Sequence, residues 1–96
     1  MITAFVLIRA ERGQVNALAQ MLADLPGIAE VYSVSGPHDL IAIARVASAD
    51  GLSALVTDRL AALKGIASTE TLLAFRAYSR HDLDSLFDVG LDAGDA

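Results

Sequence analysis

The stretch Leu25-Pro26-Gly27-Ile28-Ala29 returns as Leu63-Lys64-Gly65-Ile66-Ala67. Each copy follows an amphipathic segment and precedes an apolar, strand-like one. Two such units in one short chain describe a duplicated βαβ element. The repeat constrains the fold before any single motif is read. Each unit carries a helix between two strands, and its glycine sits where a helix closes with a left-handed residue.

Periodicity fills in the units. Residues 1–10 are apolar on both alternating faces, with Ile2, Ala4, Val6 and Ile8 on one and Phe5 and Leu7 on the other. This is the pattern of a strand covered on both sides. After an Arg12-Gly13 turn, Val15, Leu18, Ala19, Leu22 and Leu25 recur at helical spacing, which predicts a helix over residues 14–25. Residues 28–35 predict a second strand and residues 39–46 a third, joined by the short turn Gly36-Pro37-His38 and therefore antiparallel. Ser48 and Asp50 are cap candidates for a second helix whose apolar stripe is Leu52, Leu55, Val56, Leu60 and Leu63. A fourth strand is predicted within residues 66–78, with Leu73 and Phe75 on one face and Leu72 and Ala74 on the other. Ser79-Arg80-His81-Asp82 has the form of a helix start, with Leu83, Leu86 and Phe87 as the apolar side of a short helix before an acidic end.

The order β-α-β-β-α-β implies an α+β, ferredoxin-like sandwich. Right-handed crossovers place two helices on one face of a four-stranded antiparallel sheet. The second face is then bare, and the strands make it apolar. The chain has 96 residues and is 54% hydrophobic, more than one domain of this size easily buries. No apolar run approaches the roughly 18 residues of a membrane span; Arg9, Asp24, Asp39, Arg45 and Arg76 interrupt them. No basic stretch precedes the first apolar run, as a signal peptide would require. The expected outlet is a second copy, sheet packed on sheet, in a two-fold dimer in the cytoplasm. A net charge of −5 argues against direct contact with nucleic acid. The absence of cysteine excludes disulfides, thiolate catalysis and Cys-based zinc sites.

The segment around Gly36-Pro37-His38-Asp39 carries the most chemistry. A Gly-Pro turn exposes backbone N–H groups, and Asp39 adds a carboxylate at the start of the next strand. A free amino acid needs both, an acid for its ammonium and donors for its carboxylate. Thr69 and Thr71 could supply hydroxyls from the fourth strand. The same residues are also ordinary turn and strand formers.

The run from Ile28 through Leu40 resembles the hallmark of the Lrp/AsnC ligand-binding (RAM) domain: an aliphatic-rich strand, a Gly-x-x-Asp turn, then an aliphatic strand. Gly65-Ile66, followed by Thr69-Glu70-Thr71, is similar to that family's later Gly-aliphatic and Thr-x-Thr signature. The resemblance covers roughly residues 2–77 and implies a ligand-binding domain over 1–78 with a tail over 79–96. It further implies dimers assembled into higher oligomers, with an amino acid or similar small effector bound between dimers. Gly36, Pro37, His38 and Asp39 would line that cleft, with Asp39 taking the ammonium. Thr69 and Thr71 would face it from a neighbouring dimer, and Tyr32 and Ser35 are further candidates on the preceding strand. His38 stands at a position that varies in the family. Full-length family members carry a helix-turn-helix ahead of this domain. Here the first strand begins at once, as in a stand-alone domain, so full-length regulators become candidate partners.

Two rivals remain open at this point. Dimeric ferredoxin-like domains also host small monooxygenases and isomerases. Here the two histidines, His38 and His81, lack metal-ligand spacing, and neither a metal nor a cofactor is expected. Glu11, Asp58 and Asp82 have no evident partner for acid–base work, while Arg9, Arg45 and Arg76 could bind an anion or pair with acids. The other rival is a ligand-free assembly module for full-length regulators.

Overall fold

The computed structural model describes residues 1–80. The order is β1 (Ile2–Ala10), α1 (Val15–Ala23), β2 (Ile28–Ser33), β3 (Leu40–Val46), α2 (Ala49–Ser53) running on into a π-helical stretch (Ala54–Leu60), and β4 (Ile66–Leu73). The four strands form one antiparallel sheet in the order β2-β3-β1-β4. The expected ferredoxin-like topology is thus present. The predicted helix at residues 81–87 lies outside the described residues.

Register assigns the faces. Ala4, Val6 and Ile8 of β1 stand opposite Ala44, Ala42 and Leu40 of β3. All six are fully buried, together with Leu18 and Leu22 of α1, and Leu55 and Leu60 of the second helix close the same core. The intervening residues Phe5, Leu7, Ile41, Ile43, Tyr32 and Leu72 occupy the other face, which no helix of the described chain covers. Phe5 is 37% exposed, Leu72 47% and Tyr32 50%.

The repeat is realised as two equivalent corners. Gly27 and Gly65 have φ of +96° and +95°, a region that only glycine enters without strain. The Gly27 carbonyl accepts from the Arg45 N–H at 2.8 Å, beside the end of β3, and the Gly65 carbonyl accepts from the Glu11 N–H at 2.7 Å, just past the end of β1. Each unit's corner therefore hydrogen-bonds the far end of the other unit's first strand, which locks the halves together.

Three local features differ from expectation. Ser48 is the N-cap as predicted, its Oγ accepting from the Gly51 N–H at 3.1 Å, but the helix then widens into π geometry. The buried leucines Leu55 and Leu60 explain why. Five α-helical steps of about 100° would set them on different sides, whereas a helix bonded i to i+5 brings them to one side. Thr57 supports the wide turn by donating its hydroxyl to the Ser53 carbonyl. Second, β2 ends at Ser33, and its register with β3 shifts between Ile28 and Glu30. Third, β4 ends at Leu73, so Phe75 lies beyond the strand predicted to hold it.

Candidate functional site

Residues 34–39 connect β2 to β3 at the end of the sheet where β1 finishes. Three bonds shape the loop. The Val34 N–H donates to the Asp39 carbonyl at 3.0 Å, closing it. The Asp39 N–H donates to the Ile8 carbonyl at 2.9 Å. The Asp39 carboxylate accepts from the Ala10 N–H through Oδ2 at 2.8 Å. Gly36 adopts φ +107° with open space where a Cβ would be, so its conformation, not crowding, demands glycine.

This geometry divides the predicted residues. Ser35, Gly36 and Pro37 are exposed, while His38 and Asp39 are half-buried. No backbone hydrogen bond within the described residues uses the Ser35, Gly36 or His38 N–H groups, so they are available to an anionic oxygen. Asp39, which the resemblance gives to a ligand ammonium, ties the turn to β1 through Oδ2. His38 Nε2 lies 3.8 Å from Glu70 Oε1 on β4, reaching past β1. That contact had no signal in the local sequence.

The remaining candidates do not converge on the turn within one subunit. Tyr32 pairs with Ile41 and lies on the uncovered face. Thr69 and Thr71 pair with Ile8 and Val6, which puts them on the helix side of the sheet, yet both are exposed. Beside them a groove of about 280 Å³ runs between the second helix and β4, lined by Val56, Leu60, Ala61, Leu63, Ile66, Ser68 and Thr69. Among the described residues no polar or charged side chain is fully buried, and no three metal-binding side chain types come together.

The model of the Lrp/AsnC ligand binding domain matches residues 3–83. The chain belongs to that family. Among curated relatives, the Lrp/AsnC domain here is 34% identical over 76 residues to an uncharacterized HTH-type transcriptional regulator of Pyrococcus furiosus, PF0250, covering 76% of this chain and 51% of that one. The chain thus spans about half the length of the curated relatives it matches. Among solved structures it is 54% identical to TTHA0845 from Thermus thermophilus, with a TM-score of 0.78 over 83% of this chain and all of that one. It also superimposes, at 25% identity and a TM-score of 0.66, on a feast or famine regulatory protein of M. tuberculosis (Rv3291c) complexed with L-methionine, over 83% of this chain and 54% of the other. These matches agree with the RAM-type resemblance in the sequence and with the ferredoxin-like fold. No helix among the described residues is long and apolar enough to cross a membrane.

Proposed function

We propose that this Lrp/AsnC domain is a non-enzymatic sensor that binds an amino acid or a similar small effector and reports it through its state of assembly. The observation that carries the reading is the 35–39 turn, pinned to β1 through Asp39, with the Ser35, Gly36 and His38 N–H groups in no backbone hydrogen bond among the described residues. Those N–H groups would receive the effector carboxylate, and Asp39 Oδ1 its ammonium. Thr69 and Thr71, exposed on the far strand, would close the site from a neighbouring dimer; Tyr32, Ser35, Pro37 and His38 would shape its rim.

The apolar sheet face supports a dimer as the building block, which then assembles into a higher oligomer. An effector seated between dimers stabilises the assembly that creates its site, by linkage worth about 2.7 kcal/mol at a hundred times Kd. The reading assigns residues 1–78 to the sensor and 79–96 to a tail, and places the protein in the cytoplasm in transcriptional or metabolic regulation. Full-length family regulators are the proposed macromolecular partners. The relatives' naming as transcriptional regulators favours this over an enzyme. A thermal-shift panel of the twenty amino acids, run at fixed protein concentration, tests it. At least one should raise the melting temperature, and a panel without a hit would overturn the effector role.

A further inference from the structure

Large exposed apolar side chains gather at the end of the molecule opposite the 36–39 turn. Phe75 is 92% exposed, Met1 89%, Tyr78 77%, Leu73 51% and Phe5 37%. The pairing of β4 with β1 ends at Ala4 and Leu73, and a last hydrogen bond runs from the Ala74 N–H to the Thr3 carbonyl at 2.9 Å. Beyond it Phe75, Arg76, Ala77 and Tyr78 are in no strand or helix and make no backbone hydrogen bond to another described residue. Between this segment and the bare sheet face lies a groove of about 400 Å³, lined by Met1, Thr3, Phe5, Arg45, Phe75 and Arg76 together with alanines. Its lining combines apolar and aromatic side chains with two arginines.

We propose that residues 74–78 form an arm that clasps a second copy of this chain, Phe75 of each copy seating in the groove of the other. This rests on the sheet-on-sheet dimer and adds to it which segment crosses over. Three observations choose this occupant. The groove is continuous with the uncovered sheet face, since Thr3, Phe5 and Arg45 belong to both. Arm and groove lie side by side on one molecule, as a self-complementary patch requires: a two-fold axis that brings one arm to the other groove returns the favour. The chemistry matches as well, because an aromatic ring entering the groove meets the ring of Phe5 and the guanidinium of Arg45, a pairing that arginine makes with ring faces. Beyond Ala74 the arm makes no backbone hydrogen bond to another described residue, and its exposed apolar surface is covered by a partner across the interface.

The chain has no cysteine, so single cysteines report geometry without background. The T3C and F75C variants, each on a full chain carrying a tag of different size, are mixed and mildly oxidised. A mixed disulfide between the two tagged chains is expected, because Thr3 of one copy would face residue 75 of the other. In parallel, sedimentation equilibrium compares the wild type with Phe75→Ala, Tyr78→Ala and Phe75→Leu. Phe75→Ala should raise the dimer Kd at least tenfold and Phe75→Leu by much less, with an unchanged circular dichroism spectrum. A dimeric wild type whose Kd stays within twofold on Phe75→Ala and which gives no mixed disulfide overturns the arm while leaving the dimer standing. A wild type that sediments as a monomer at micromolar concentration removes the dimer and the arm together. An amino acid or other metabolite that blocks the mixed disulfide without dissociating the dimer would make the groove a ligand site and likewise overturn the arm.

Discussion

Asp39 holds the most informative substitution, because its carboxylate has two oxygens with separable duties. Oδ2 accepts the Ala10 N–H at 2.8 Å in a half-buried setting, between residues 29 apart in sequence. A hydrogen bond to a charged acceptor contributes about 1.5–3 kcal/mol net, and partial exposure favours the lower part of that range. Asp39→Ala also strands the Ala10 N–H. The expected loss is therefore about 2 kcal/mol, or on the order of 10 °C in melting temperature for a domain of this size. Asp39→Asn keeps a neutral acceptor for the same N–H and should cost about 0.5–1 kcal/mol. The two variants part company over the effector. If Oδ1 pairs with an ammonium, Asn loses most of the ligand response while retaining most of the stability. If Asp39 only shapes the turn, Asn responds nearly as the wild type does. The assay is urea unfolding for stability and thermal shift with a responding amino acid, at one protein concentration because dimer stability depends on it. Asp39→Ala as stable as the wild type would refute the reasoning, since the bond to Ala10 would then contribute nothing.

Leu22, fully buried between α1 and the sheet, should cost about 2–5 kcal/mol as Leu22→Ala, read from the urea midpoint. Gly27→Ala should cost about 1–3 kcal/mol, because φ is +96° and the new Cβ would meet Val46 Cγ1 at 3.2 Å. Gly13→Ala, at φ +79° with open space around it, should cost only about 1 kcal/mol in the same titration. Glu70→Gln removes the negative charge facing His38, but Glu70 is 62% exposed, so the change should stay within about 0.5 kcal/mol. Ile43→Asp, placed on the uncovered face opposite Phe5, should leave a folded monomer by light scattering at a concentration where the wild type is dimeric.

Most of the architecture was legible because it is written in local alternation. The even residues of β1 and β3 are apolar and so are several odd ones, which announces a sheet greasy on both sides. The recurring glycine corners announce two units. What stayed hidden depends on distant partners. The π-helical stretch could have been suspected from Leu55 and Leu60, whose five-residue gap breaks α periodicity, but an apolar stripe from Leu52 to Leu63 absorbs that gap without complaint. The sequence places Phe75 in strand four because the apolar pattern continues past Leu73. The sheet bonding stops there regardless, since alternation reports which residues are apolar and not which neighbour they pair with. At the site, the turn was recognisable from Gly36, Pro37 and Asp39. The bond from Asp39 to Ala10 and the approach of His38 to Glu70 were not, because each joins segments about 30 residues apart.

The position of the two ends of β1 bears on how such a domain could signal. The Ile8–Ala10 end receives the Asp39 carboxylate, and the adjoining Glu11 N–H donates to Gly65. The Thr3 end receives Ala74, from which the arm departs. On the proposed reading the effector acts at the first end, between dimers, and the dimer is clasped at the second. An effector can shift only the equilibrium in which it has differential affinity. It should therefore move the balance between dimers and larger assemblies and leave the dimer Kd unchanged. Sedimentation velocity with and without a responding amino acid separates the two steps. A ligand that tightens the dimer itself would mean that the turn and the arm are coupled through β1, and the division of labour between the two ends would be wrong.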